Sequence, residues 1–327
     1  MALRTILVAQ FSVLCIVLFA SCFTGGQAAA QSSAPSLSDE TQLEDIVVNG
    51  ASLKARAEAF VASVGAPVEG RKLAIWTEEV CVGAAGLMPE TSRVMVDRIL
   101  DWAHSLGIRI GSPGCHPNIL IVFGADGDRM SQELVRTRRL DFDASVSMSR
   151  HGDRALRAFQ SSHRPVRWWQ MSVPIDPDTG RPIVRDRGQT PFSPPPEISR
   201  PSDFGSFGQI TMGSRLYDDS IDALRSTVVV VDTKALEQIS FGQLSDYVAM
   251  VVLAQIDPDV SAPAPSILGI FDDTGVQQQT LSAWDQAFLQ ALYSTHQRNV
   301  GVGADGALIA KNLVRKLETS GVADNDP

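Results

Sequence analysis

Four aspartates are the first residues in this chain whose type and spacing could do chemistry. Asp257 and Asp259 flank a proline, and Asp272 and Asp273 are adjacent a dozen residues later. Carboxylates brought together by converging loops can hold a calcium ion or work as an acid–base pair. The spacing matches no EF-hand loop, and Asp272 and Asp273 also read as a turn after the apolar run Ser266 to Phe271. Asp285 follows, but Ser282-x-x-Asp285 is a capping box, which gives that carboxylate a structural purpose. The acidic cluster is therefore Asp257, Asp259, Asp272 and Asp273, with a metal-binding or catalytic role as the sharper reading and turn formation as the plainer one.

Other reactive patterns are missing or out of context. Zinc-assisted hydrolysis needs two histidines one turn apart on a helix with a glutamate between them. No H-E-x-x-H occurs, and His104, His116, His151, His163 and His296 form no i, i+3 or i, i+4 pair. Where such a motif could sit on the most apolar helix, the residues are Gln243 to Tyr247, and Ser240-x-x-Gln243 is again a capping box. Gly301, Gly303 and Gly306 fit G-x-G-x-x-G, but no strand precedes them, so they read as a helix–helix connection. Asp203-Phe204-Gly205 has none of the other kinase signatures around it, and there is no G-x-S-x-G. Trp168 and Trp169 beside Arg164 and Arg167 could stack a ligand; packed core aromatics are the simpler expectation. No catalytic residue, metal ligand or cofactor is assigned.

The elements that must position these residues centre on Thr227 to Tyr293. Thr227–Asp232 is a β-branched apolar run that predicts a buried strand. Ser240–Gln255 is apolar on nearly every side from Val248 to Ala254, which predicts a core helix, and Ala283–Tyr293 predicts an amphipathic one. Upstream, helices are expected over 51–64, 90–106 (after Pro89, before Gly107), 128–138 and 151–160. Strands are expected over 43–50, as an edge strand, and over 72–76 and 118–123. Another is expected over 166–173, with one tryptophan of the pair on each face. Residues 140–149 give no clean period, 175–202 read as a long Pro-rich loop, and 207–216 as a strand re-entering the sheet.

The chain has 327 residues, 44% hydrophobic and 20% charged, enough for a substantial core. Its net charge of −9 argues against nucleic acid or an anionic membrane surface as partner. Residues 1–30 have the pattern of a secretory signal peptide, too short and too interrupted by Gln10 and Ser12 for a membrane span. Ala28 to Ala30 offer one processing site. Phe19-Ala-Ser-Cys22 approximates a lipobox and offers another, with Cys22 as a lipid anchor. Both readings imply export, to the periplasm or beyond it. Residues 31–42 read as a disordered linker and 43–327 as one domain. Processing leaves Cys81 and Cys115, which an oxidising compartment would join, against the alternative of two free buried thiols. Closing a loop of that length is worth about 3 kcal/mol.

Three segments together resemble a family of uncharacterised exported proteins of Gram-negative bacteria: Cys81–Leu87 with Pro113–Leu120, Val229–Asp232 with Gly242–Met250, and Ser266–Asp273 with Leu281–Tyr293. The last is also similar to a domain-of-unknown-function group with metallopeptidase-like architecture. The resemblance carries no catalytic residue, because its shared positions are packing and capping residues. The expectation is an α+β fold, a mixed β-sheet flanked by helices, with a zincin-like layout lacking the metal site as its closer variant. The functional expectation is an exported envelope protein that binds or builds, on a degenerate peptidase-like scaffold. The alternative is a hydrolase of unfamiliar type using the Asp cluster.

Overall fold

In a computed structural model the chain divides into two units, Met1–Val48 and Asn49–Pro327. The structure describes residues 52–142, 153–184, 208–209, 220–236, 239–260, 265–272, 278–295 and 300–321, all in the second unit. The leader, Cys22, the expected strand at 43–50, and Asp273 lie outside the described residues.

The architecture is α+β. Its axis is the long strand β7 (Ile221–Asp232), whose apolar run needs cover on both faces and obtains it. Along one edge β7 pairs antiparallel with β4 (Val166–Ile175), with a register shift between Met171 and Ser172. Along the other it pairs in parallel with β1 (Ile75–Trp76) and then with β3 (Ile119–Gly124). A further parallel strand, β2 (Val82–Ala85), completes the five-stranded mixed sheet beside β3.

Alternation along the strands sorts two cores. Val229, Val231 and Trp168 point into the larger, and Val228, Val230 and Trp169 into the smaller, so the two tryptophans do face opposite sides. The larger core is roofed by α2 (Pro89–Ser105), α5 (Phe241–Leu253) and α6 (Ala283–Ser294), with α1 (Leu53–Val64) and α7 (Val302–Thr319) packed together beyond. The smaller is covered by α3 (Gly127–Thr137), α4 (Asp153–Ser161) and the turn carrying Phe142. Cys81 and Cys115 are bonded to each other, 6.1 Å apart at Cα, and tie the start of β2 to the loop before β3. Among the described residues no helix is long and apolar enough to cross a membrane.

Four expectations need correction. Only Ile75 and Trp76 of 72–76 form strand pairs, because the N–H groups of Lys72, Leu73 and Ala74 are taken by the side chains of Asp222, Asp305 and Gln255. The segment at 207–216 does not rejoin the main sheet where it is described: β6 (Gly208–Gln209) pairs with β5 (Ile183–Val184), inside the stretch expected to be all loop. Gly301 is an N-cap and Gly303 and Gly306 lie within α7, so these glycines start a helix and do not connect two. Strand β2 was not expected; its small residues let Gly83 sit against Pro117, whose ring a Cβ there would meet at 2.8 Å.

Candidate functional site

Helix α5 carries the geometry around which a site would be built, and its first turns are occupied by structural bonds. Ser240 Oγ accepts the Gln243 N–H (3.2 Å) and Gln243 Oε1 accepts the Ser240 N–H (3.0 Å), the capping box read from the sequence. Asp246, fully buried, accepts two hydrogen bonds from Arg98 (2.6 Å each) and one from the Trp102 indole (2.9 Å), clamping α2 to α5. Burial alone would raise this carboxyl, but the bonds from Arg98, Thr280 and Trp102 hold it below the ordinary range. Tyr247 packs edge-on against Phe271 (4.9 Å) and Trp168 (6.2 Å); burial pushes its phenol well above the usual value, so it stays neutral.

The C-terminal end of α5 is different. It leads into Gln255–Asp259, which lies beside β4, the strand whose second edge carries only an isolated bridge, Ile175 to Pro182, among the described residues. Gln170 Nε2 donates to the Val251 and Ala254 carbonyls (3.0 and 2.9 Å), satisfying acceptors that a helix end leaves free. The Trp168 indole donates to Ile256 O (3.2 Å). Between this turn, β4 and α4 lies a partly enclosed cavity of about 270 Å³. Its lining residues include Phe159, Trp168 and Trp169, the two tryptophans coming from opposite faces of the sheet, and the charged Arg154, Arg164, Arg167, Asp257 and Asp259.

The charges pair unevenly. Arg164 bonds Asp259 and Arg167 donates to Asp128 Oδ1 (2.7 Å). Arg154, exposed on α4, and Asp257, half-buried, have no ion pair among the described residues; Asp257 Oδ1 accepts only the Asp259 N–H (2.9 Å). Two donors of the lining residues, Arg167 Nε and the Trp169 indole N–H, are buried without any acceptor. Buried donors in native proteins nearly always have a partner, and these two belong to residues of one cavity, although the Trp284 indole N–H is equally unpartnered away from it.

The acidic cluster is only partly assembled. Asp257 and Asp259 line the cavity, Asp259 held in its ion pair. Asp272 is placed outside the lining, at the end of the turn that carries Phe271, close enough to Tyr247 to act on its ionisation. Among the described residues no three His, Cys, Asp or Glu side chains gather as they would around a metal ion. Asp285 caps its helix as read from the sequence, and also accepts from Ser266 Oγ (2.5 Å) and Ile267 N (2.8 Å).

Sequence reasoning missed a buried charge cluster at the other end of the sheet. Arg71 pairs with Asp222 and donates to Ser172 O (3.1 Å), and Lys72 Nζ donates to Ser220 O (2.8 Å). Asp305, only 2% exposed, accepts the Leu73 N–H at Oδ2 (3.1 Å), while Oδ1 has no hydrogen-bond partner. Burial pushes its carboxyl up to about 6, with the Leu73 N–H and Lys72 pulling down and Asp222 pushing up. No local pattern announces this contact, since Asp305 and Leu73 are 232 positions apart.

Comparison with protein-family models, with curated proteins and with solved structures found no match to this chain.

Proposed function

We propose that this protein is an exported binding module that holds a small ligand in the cavity between α4, β4 and the turn after α5. The observation that carries the reading is the pair of buried, unpartnered donors, Arg167 Nε and Trp169 Nε1, in residues that line one cavity. The leader pattern and the Cys81–Cys115 pair support export, with the periplasm, reached free or through a lipid on Cys22, as the compartment. We read the scaffold as a degenerate peptidase-like one, in which Gln243 of α5 serves as a cap and Asp246 as a clamp. A hydrolytic use of the same place would draw on Asp257 and Asp259, but Asp259 is occupied by Arg164.

The test is a thermal-shift panel of small metabolites on the wild-type chain and on Ala158→Trp, which puts an indole at an exposed α4 position of the cavity wall. The reading expects compounds that stabilise the wild type and lose that effect in the variant. It fails if nothing in the panel stabilises the wild type, or if the variant responds equally.

A further inference from the structure

The cavity follows one strand along its edge, and that narrows its ligand; the step rests on the reading of the cavity as a ligand site. Successive residues of a strand point to opposite faces, so a cavity on either face meets every second residue. Here Val166, Arg167, Trp168, Trp169 and Gln170 all line it, five in succession. Only the edge of β4 turned away from β7 shows such a run.

The pairing decides which groups this edge presents. The Asp232 N–H donates to Pro165 O (2.8 Å), and the register then bonds Arg167 to Val230 and Trp169 to Val228. The N–H and C=O of Val166, Trp168 and Gln170 point the other way, and none has a hydrogen-bond partner among the described residues. These residues are at most 8% exposed, whereas buried backbone groups are nearly always paired. Farther along, Ile175 bridges Pro182, so the open stretch is the part beside the cavity.

Two walls confine it. On one side stands α4, with Ala155, Ala158 and Phe159 in the lining. On the other, the turn after α5 runs antiparallel to β4: Gln170 reaches Ala254 O, Trp168 reaches Ile256 O, and Arg164 reaches Asp259. Side chains of β4 make those bonds, so the turn walls the edge and leaves its backbone unpaired. Charge adds no net preference, because the lining residues without an ion pair, Arg154 and Asp257, have opposite signs.

Donors and acceptors repeat along this edge every second residue, roughly 6.8 Å, and an extended polypeptide offers the complementary groups at the same repeat. The stretch from Val166 to Gln170 spans roughly 13 Å, room for about four extended residues. We infer that the ligand is a short extended peptide segment, added as a further strand beside β4. Its backbone bonds Val166, Trp168 and Gln170, and its side chains turn alternately to α4 and to the turn after α5.

The experiment adds to the thermal-shift panel the blocked tetrapeptides of alanine and valine in every order, and takes the strongest stabiliser into calorimetry with the full, disulfide-intact chain. Its binding is lost in Ala158→Trp. N-methylation of alternate amides then tests the ladder. One alternate pair faces β4, and methylating it weakens binding by about tenfold or more; the other faces away, and methylating it leaves binding nearly unchanged. In the ¹H–¹⁵N spectrum the peptide slows amide exchange at Val166, Trp168 and Gln170, and not at Arg167 and Trp169, which already bond β7. The inference is overturned if no peptide binds, if both methylated forms bind alike, or if the three amides exchange as before. A wild-type dimer with those amides already protected would put a second copy on the edge and overturn it too. A metabolite that binds where no peptide does leaves the cavity reading standing and removes this assignment. Peptide binding that Ala158→Trp leaves intact removes both.

Discussion

Replacing Asp305 by asparagine should stabilise the protein, and only above a definite pH. The carboxyl is 2% exposed, bonded through one oxygen to the Leu73 N–H, and its other oxygen has no hydrogen-bond partner. Its ionisation lies at about 6 in the folded chain, against an ordinary 3.8. Raising a carboxyl on folding means that the folded state binds the proton more tightly. Below the ordinary value both states are protonated and the group is neutral in its effect. As pH rises from about 4 to about 6 the unfolded chain ionises first and stability falls; above that the full cost is present. A separation of roughly two pH units corresponds to about 3 kcal/mol. Asparagine keeps an oxygen for the Leu73 N–H and removes the charge, but leaves an amide where Oδ1 stood, so a gain of about 2 kcal/mol at pH 8 is expected. Urea denaturation of both proteins at pH 8 and pH 4.5 measures it: the variant is the more stable at pH 8, and the difference shrinks at pH 4.5. A variant equally destabilised at both pH values would refute the reasoning, because the folded state would then depend on an ionised Asp305.

Arg98→Gln should lower stability by about 2 kcal/mol, below the ~3–5 of a fully buried pair because the Arg98 side chain is 43% exposed, and urea titration reads it directly. Asp246 is depressed on folding, so it contributes stability at neutral pH that is lost as pH falls through its folded ionisation; removing Arg98 should flatten that acid limb in the same titrations. Asp285→Ala strands the Ser266 hydroxyl and the Ile267 and Ser282 N–H groups and should cost about 3 kcal/mol by the same measurement. The double variant Cys81→Ser, Cys115→Ser should lose about 3 kcal/mol, and reductant should then lower the midpoint of the wild type but not of the variant.

Features governed by near neighbours were legible in the sequence. Ser240 and Gln243, like Ser282 and Asp285, are three positions apart, and a capping box needs nothing more. The split of Trp168 and Trp169 between two cores follows from strand periodicity, and the length and polarity of α3 from its helical pattern. Long-range satisfaction of polar groups was not legible. Lys72 to Ala74 look like a strand, yet side chains up to 232 positions away take their N–H groups. Nothing near Asp246 in the sequence announces its partners, Arg98 and Trp102, which lie 148 and 144 positions upstream. The aspartates of the acidic cluster stood out by type, but the cavity that two of them share depends on β4 and α4, which lie about 90 positions away in sequence.

The most direct test of the cavity as a ligand site uses the indole N–H signals of the chain's five tryptophans in a ¹H–¹⁵N spectrum. Trp169 and Trp284 both have buried, unpartnered indole N–H groups, but only Trp169 lines the cavity, so Trp284 is an internal control. On titration with the strongest stabiliser from the thermal-shift panel, the Trp169 signal should move downfield as its N–H gains an acceptor, while that of Trp284 stays in place. A ligand that binds and leaves the Trp169 signal unmoved would contradict the account.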